Sequence, residues 1–222
     1  MRRDGKLLAT TEIPSFSESG LEEATEYTYE ITAIDHGDLR SAPLSFSAVT
    51  AESLYAVLDG EEQTDIDAQS KYITFLVNND YNGGDSYSEY VEKGGKGCRQ
   101  TLKRDQHPTN KGMTYLYFDV EKDKITENDR TVTITVEYFD EGSGELRLQY
   151  NAEVPQGGDP EKDRIAETKT MATLTNSGEW KTATITLTDA QFRQPVSLTN
   201  SDFRLTGSNS PIYVHKVTAA VG

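Results

Sequence analysis

The sequence has one cysteine and three histidines in 222 residues. The single cysteine, Cys98, cannot form an intrachain disulfide, which excludes a fold held together by disulfide bonds. A catalytic thiol would need a histidine and a polar group to orient it, and the few histidines make such a site a weak candidate. We therefore expect Cys98 to be a small, buried hydrophobic residue.

Long apolar runs and basic residues are also scarce. No apolar run approaches the roughly 18 residues of a membrane-spanning helix. The first residues, MRRDGKLLATT, contain no signal-peptide core, so if the parent protein is secreted we expect this chain to be an internal part of it. The 22 Lys and Arg residues face 37 Asp and Glu residues, a net charge of −15. Because such a surface repels polyanions, we expect no binding to nucleic acid and no insertion into a membrane.

The common catalytic motifs are absent from the sequence as well. It contains no H-E-x-x-H, G-x-S-x-G, P-loop or G-x-G-x-x-G pattern. Acidic residues are so numerous that a pair of carboxylates says little about a glycosidase site. We expect no catalysis by this chain, and a small β-sandwich lyase or hydrolase is the alternative.

Helix signals are almost absent, whereas short alternating segments rich in Thr, Val, Ile and Tyr recur along the chain. Gly, Asn, Asp and Ser separate these segments, which is typical of an all-β sandwich. In VTITVEY, residues 132–138, the apolar side chains share one face, which predicts one buried and one solvated side. Residues 141–144, EGSG, predict a glycine-rich hairpin. Strands are predicted near residues 7–11, 26–34, 44–50, 72–76, 115–120, 131–139, 146–150, 168–174, 181–188 and 213–220.

Residues 1–52 resemble the second half of a fibronectin type III domain. The resemblance lies in RDGKLLATT, SFSESGLEEATEYTYEITAID and SAPLSFSAVT. Leu21 and Tyr27 match the tyrosine corner of that family, which implies that the Tyr27 hydroxyl bonds back to the chain. The first strands of the family and its core tryptophan have no counterpart here, which implies exposed sheet edges and half of a core.

Residues 53–222 resemble the galactose-binding-like β-sandwich, or jelly roll, of many bacterial carbohydrate-binding modules. The resemblance lies in YLYFDV, VTITVEYFDEGSG, LRLQY, GEWKTATITLTDAQF, SDFRLTG and IYVHKV. It implies the fold more directly than the ligand, because these phrases are strand patterns rather than a catalytic signature. It also implies a secreted bacterial parent enzyme that degrades a polysaccharide, and it favours a core position for Trp180 over a ligand contact.

The segment NNDYNGGDSYSE, residues 78–89, is a candidate calcium loop. Asn78, Asp80, Asn82 and Glu89 occupy ligand positions of an EF-hand-type loop, with Asn in place of the usual first Asp. The flanking segments are predicted strands rather than helices. A polar loop between strands, without a metal, is therefore the alternative.

Tyrosines are the candidate sugar contacts, because sugar rings have apolar faces that stack on aromatic rings. Tyr81, Tyr87 and Tyr90 fall in or beside the same Gly-rich segment and are predicted sugar contacts. The alternative is that these tyrosines are exposed and bind no ligand. Tyr115 and Tyr117 alternate with apolar residues in YLYFDV. They would form the floor of a groove if the apolar residues face the core. The alternative is that the tyrosines themselves face the core.

A basic segment interrupts the acidic chain. Residues 93–111, KGGKGCRQTLKRDQHPTNK, contain six Lys or Arg residues and one Asp. Arg99 and Lys103 are the candidates for contact with an anionic group such as a uronate, since arginine suits bidentate contact with a carboxylate. The alternative is that the segment neutralises the domain's own acidic surface.

The combined prediction is a non-catalytic polysaccharide-binding module, preceded by a partial fibronectin type III segment. The module would target a linked glycoside hydrolase or lyase to its substrate by raising the effective concentration of the enzyme there. The basic segment favours an acidic polysaccharide, with xanthan as one candidate. We expect a secreted monomer with calcium as its candidate cofactor. The main alternative is a structural or adhesive spacer domain of a bacterial cell-surface protein.

Overall fold

The computed structural model describes residues 1–13, 15–77, 86–103, 112–126, 128–152, 168–192 and 201–221. The chain divides into two compact units, Met1–Ser53 and Leu54–Gly222. In the described residues, no helix has the length and apolar character needed to cross a membrane.

The smaller unit contains one antiparallel sheet. Its strands, in the spatial order β2–β1–β3–β4, are β1 (Arg2–Arg3), β2 (Lys6–Leu7), β3 (Glu26–Ile31) and β4 (Leu44–Val49). The Tyr27 hydroxyl accepts a hydrogen bond of 2.9 Å from the Glu22 amide, which is the contact with the chain expected at this tyrosine. Tyr29 is buried and stacks on Phe46 with 5.5 Å between ring centroids. Leu44 remains 65% exposed, so part of the apolar surface of this sheet is uncovered.

The larger unit is a β-sandwich, which confirms the predicted all-β fold. Its elements are β5 (Leu54–Val57), α1 (Gln63–Gln69), β6 (Ile73–Phe75), β7 (Ser88–Lys93), β8 (Lys96–Thr101), β9 (Leu116–Val120), β10 (Val132–Phe139), β11 (Gly144–Tyr150), β12 (Lys169–Leu174), β13 (Trp180–Leu187), β14 (Phe203–Gly207) and β15 (Tyr213–Val221). The six-stranded sheet has the order β13–β10–β15–β8–β7, with β5 also paired to β15. The five-stranded sheet has the order β12–β11–β14–β9–β6.

One hydrophobic core contains alternate side chains from both sheets. In β10, Ile134 and Val136 are fully buried. Thr133 and Thr135 lie on the other face, and each hydroxyl is 3.0 Å from a threonine hydroxyl of β13. The predicted division of this strand into a buried and a solvated side is therefore confirmed, and burial of the alternate apolar residues is what holds the sheets together.

The predicted hairpin at residues 141–144 is wrong. These residues connect β10 to β11, but the two strands belong to different sheets. Both edges of β10 are already paired, one with β13 and the other with β15. Because no edge of β10 is free, the chain must cross to the second sheet, where β11 pairs with β12 and β14.

The sequence patterns also missed the β7–β8 hairpin and α1. Gly94 and Gly95 connect the two strands with φ values of 49° and 79°, as a two-residue hairpin turn of type I′ requires. Helix α1 begins with a capping box, in which the Glu62 and Asp65 side chains accept hydrogen bonds from each other's backbone. Polar and charged residues together dominate both segments and obscure their periodicity.

A second, smaller hydrophobic cluster contains Cys98, Phe139 and Tyr213, with Trp180 packed against it. Cys98 is fully buried, as predicted, and burial raises the pKa of its thiol to about 12. Trp180 is half-buried, meets Phe139 edge-on, and donates its indole N–H to the Lys93 carbonyl at 3.1 Å. The tryptophan thus packs against hydrophobic residues, but outside the main core between the sheets.

Candidate functional site

The outer face of the five-stranded sheet carries a contiguous set of aromatic and polar side chains. In β9, alternate apolar residues face the core, so the residues between them project to the opposite side. This is the predicted arrangement in which the apolar set, and not the tyrosines, forms the core. The same alternation in β11 and β14 places further polar side chains beside them. We call this set the platform face: Tyr115, Tyr117, Arg147, Gln149 and Arg204.

Three of these residues form a hydrogen-bonded row across neighbouring strands. The register pairs Gln149 with Arg204, and Arg204 with Tyr117. Arg204 Nε donates to Gln149 Oε1 at 2.7 Å, and Arg204 Nη1 donates to the Tyr117 hydroxyl at 2.9 Å. Gln149 Nε2 in turn donates to the Thr168 hydroxyl at 2.8 Å. These bonds fix the orientation of the guanidinium group over the sheet.

Arg204 also lies against the tyrosines. Its Cζ atom is 4.0 Å from the centroid of the Tyr115 ring and 5.6 Å from that of Tyr117, which is within the range of cation–π contact. Tyr117 is fully buried, whereas Tyr115 and Arg204 are partly exposed. The guanidinium therefore covers one face of a partly exposed tyrosine ring and is itself partly exposed.

The second arginine of the platform face is paired with a carboxylate. Arg147 Nη2 lies 2.6 Å from Glu145 Oε2, and Arg147 Nε donates to the same oxygen at 2.7 Å. This hydrogen bond lowers the pKa of Glu145. Both side chains are about one-third exposed or more, so the pair is a hydrogen-bonding group at the surface rather than a source of much stability.

Two carboxyl groups lie at the other end of the same face. The backbone pairing places Asp202 opposite Asp119, since the Asp202 amide donates to the Phe118 carbonyl at 2.8 Å. Asp202 is buried, and its Oδ2 accepts the Val120 amide at 2.9 Å. Burial raises the pKa of Asp202 to about 8 and also raises the pKa of Asp119. Each carboxyl group also contributes to the pKa shift of the other, so the two groups interact as a pair.

The platform face has the elements of a sugar-binding surface. An aromatic ring beside a guanidinium plane can stack against the apolar face of a sugar ring. The amide of Gln149 and the Arg147–Glu145 pair are planar groups that can exchange hydrogen bonds with sugar hydroxyls.

Two of the predicted sugar contacts, Tyr115 and Tyr117, lie on the platform face, but Tyr90 lies on the six-stranded sheet. Tyr90 is in β7, not in a loop, and its hydroxyl donates to Asp59 Oδ1 at 3.1 Å. It borders an open pocket of about 500 Å³ whose other lining residues include Asp59, Glu61 and Asp65. Such an acidic lining does not suit an anionic sugar.

Arg99 is 2% exposed, which differs from the surface position expected of an anion-binding arginine. It pairs with Tyr90 in the β7–β8 register, and its Nη2 donates to the Glu61 carbonyl. Burial lowers the pKa of its guanidinium. Lys103, the other basic candidate, is exposed.

The basic segment is used in large part within the molecule. Lys93 Nζ lies 2.8 Å from Glu141 Oε2 and 4.2 Å from the centroid of the Tyr213 ring. Lys96 forms an ion pair with Glu137. These contacts agree with the alternative that the segment neutralises the domain's own acidic groups. Arg104 and Lys111 lie outside the described residues.

The candidate calcium loop is described only at its end. Glu89 is in β7, exposed, and its Oε2 accepts a hydrogen bond of 2.8 Å from Gln100 Nε2. Tyr87 is 41% exposed. Among the described residues, no group of three or more acidic, histidine or cysteine side chains is placed to hold a metal ion. Calcium binding stays a prediction, since its other proposed residues lie outside the described ranges: Asn78, Asp80, Asn82 and the neighbouring Tyr81.

Arg204, Gln149 and Arg147 were not predicted from the sequence. A signal was present, because each of these residues alternates with leucine or phenylalanine in SDFRLTG and ELRLQY. An arginine between two core positions of a strand must project from the opposite face of the sheet. What the sequence does not reveal is the order of strands, which alone brings the two segments beside YLYFDV.

Comparison with models of known protein families gives no match, and comparison with curated proteins gives none either. Among solved structures, the chain is similar to the CBM22-1–GH10 modules of endo-1,4-β-D-xylanase 10B from Clostridium thermocellum, in complex with xylohexaose. The sequences are 15% identical, with a TM-score of 0.40. The match covers 76% of this chain but only 28% of the xylanase chain.

Proposed function

We propose that the larger unit is a non-catalytic polysaccharide-binding module whose ligand site is the platform face. The observation that carries this proposal is the row Gln149–Arg204–Tyr117 with the Tyr115 ring held against Arg204. Hydrogen bonds preorganise this arrangement, so a ligand that stacks on it orders few side chains on binding. The resemblance of residues 53–222 to carbohydrate-binding modules supports the same function.

The wider setting of the module belongs to the same proposal. A secreted bacterial parent protein would carry a partial fibronectin type III segment before the module and a polysaccharide-degrading domain linked to it. The module would bind as a monomer and hold the catalytic domain near its substrate. Structural calcium at residues 78–89 is part of the proposal and is separate from the platform face.

An acidic ligand such as xanthan would use the basic segment. The described part of the segment gives that narrower specificity little support, because Lys93 and Lys96 have carboxylate partners and Arg99 is buried, while Lys103 is exposed. The platform face is the better supported site, and it does not depend on the basic segment.

Affinity electrophoresis of the full chain through gels that contain neutral or acidic polysaccharides tests the proposal. We expect at least one polymer to retard the protein, and Tyr115→Ala to abolish most of that retardation because it removes the exposed stacking ring. Loss of one aromatic stack is worth about 1 kcal/mol, or roughly a fivefold weaker Kd.

Tyr87→Ala is the matched control, since it removes a 41% exposed tyrosine that directly precedes β7 of the six-stranded sheet. It should migrate like the wild type. If Tyr87→Ala weakens binding and Tyr115→Ala does not, the ligand site lies beside β7 instead of on the platform face. If no polymer in a broad panel retards the protein, a structural spacer is the better account. Runs with calcium and with a chelator test the metal proposal separately.

A further inference from the structure

The hydrogen bonds of Arg204 bear on the kind of polysaccharide that the platform face accepts. Bidentate binding of a carboxylate requires two free N–H groups on one edge of the guanidinium. Arg204 already donates from Nε to Gln149 and from Nη1 to Tyr117. The edge that contains Nε therefore has a donor committed to the sheet, and Nη1 has one of its two N–H groups committed as well, which holds the guanidinium in place over Tyr115.

The other charges of the face are arranged in opposite pairs. Arg147 is held by Glu145 at 2.6 Å. Lys122 lies near enough to Asp119 and Asp202 to lower the pKa of both carboxyl groups, although burial outweighs its effect. Among the described residues, a sugar carboxylate would compete with Glu145 for Arg147, and it would approach a chain of net charge −15.

We infer that the platform face binds a neutral polysaccharide, which stacks on Tyr115 and the plane of Arg204, rather than an anionic polymer held by ion pairs. This inference rests on the proposed function and narrows its ligand class. Arg204 acts here as a flat, oriented surface beside an aromatic ring. Its positive charge lies 4.0 Å from the centroid of the Tyr115 ring and 5.6 Å from that of Tyr117.

The test compares polymers that differ in charge but share a backbone. The full chain is run through gels with hydroxyethyl cellulose or carboxymethyl cellulose, and with methyl-esterified or de-esterified polygalacturonate, at low and high NaCl. We expect the neutral member of at least one pair to retard the protein, with retardation that changes less than about twofold with salt, since no ion pair forms between protein and ligand. The acidic member should bind about tenfold more weakly or not at all.

Two variants separate charge from shape. Arg204→Lys keeps the positive charge but removes the plane, and we expect about tenfold weaker binding of the neutral polymer. Glu145→Gln releases Arg147 from its carboxylate, and we expect it to increase retardation by the acidic polymer. The wavelength of Trp180 fluorescence, which reports on the other sheet, checks that each variant is folded.

Preferential, salt-sensitive binding of the acidic members would overturn the inference and leave the proposed function standing. The inference is equally overturned if Arg204→Lys binds the neutral polymer as tightly as the wild type. If neither charged nor neutral polymers bind, both the inference and the proposed function fail.

Discussion

Replacement of Asp140 by asparagine should destabilise the larger unit strongly, because this buried carboxylate ties the end of β10 to the segment before β13. Its Oδ2 accepts hydrogen bonds from the Thr175 hydroxyl, the Ser177 amide and hydroxyl, and Lys181 Nζ, the last at 2.6 Å. Its Oδ1 accepts the Thr175 amide at 2.8 Å. The side chain has no exposed surface.

The size of the effect follows from this geometry. Asparagine can keep its oxygen at the Oδ2 position, but its NH2 group then faces the Thr175 amide, and one buried N–H loses its acceptor at a cost of about 1–3 kcal/mol. Removing one partner of a buried ion pair costs about 3–5 kcal/mol. The Lys181 side chain is 35% exposed, so water partly solvates the charge left behind. We therefore expect the free energy of unfolding to fall by about 2–4 kcal/mol.

Urea unfolding followed by the fluorescence of Trp180, the single tryptophan, measures this change. Asp123→Asn, at an exposed aspartate, is the matched control and should change the free energy of unfolding by less than about 0.5 kcal/mol. A loss below about 1 kcal/mol for Asp140→Asn would refute the reasoning. Removal of a buried charge that accepts five hydrogen bonds should lower the free energy of unfolding by more than that.

The pH dependence gives an independent check on the same residue. Burial alone would raise the pKa of Asp140, but Lys181 and the two hydroxyls outweigh it and hold the pKa well below its usual value of 3.8. A depressed pKa in the folded state means that the stabilisation is present above about pH 4 and is lost as the pH falls below it. Asp140→Asn should lack this loss.

Three further predictions concern Asp202, the β7–β8 turn and Cys98. Because the pKa of Asp202 is raised to about 8 from 3.8, stability should fall as pH rises between these values, by at most about 1.4 kcal/mol per pH unit; Asp202→Asn should flatten that decline in urea unfolding. Gly94→Ala should cost more stability than Gly95→Ala, because its methyl group would lie 3.1 Å from Trp180 Nε1 whereas nothing lies within 4 Å at Gly95; equal losses would contradict this. Cys98 should resist thiol reagents at pH 8 until the protein is unfolded, since its thiol is buried and its pKa is about 12; rapid labelling of the native protein would contradict its placement.

The fold was predictable from the sequence where one face of a strand is buried and the other is solvated. Strand β10 alternates cleanly, since Ile134 and Val136 are buried while Thr133 and Thr135 are not. The β7–β8 hairpin was missed because its charged residues mask the alternation. The glycine pair in KGGK, residues 93–96, nevertheless carries the signal of a two-residue turn. Local alternation therefore predicts strands that have one apolar and one polar face. It does not predict strands such as β7 and β8, which carry many charged residues and cover only the small second hydrophobic cluster.

The site was only half predictable. Tyr115 and Tyr117 were identified from alternation within one strand, which is local information. Arg204 and Gln149 come from strands far apart in sequence, and the non-consecutive order β11–β14–β9 brings them together. The basic segment suggested an anion site from charge alone, but Lys93 and Lys96 have acidic partners that only the folded chain places nearby.

The measurement that tests the central claim most directly is the location of bound ligand. Amide NMR spectra of the isotope-labelled chain, titrated with an oligosaccharide of whichever polymer binds, would map the contact surface. The account predicts that the largest shifts fall in β9, β11 and β14, around Tyr117, Gln149 and Arg204. Shifts concentrated in β7, β8 or the basic segment, with the platform face unchanged, would contradict it.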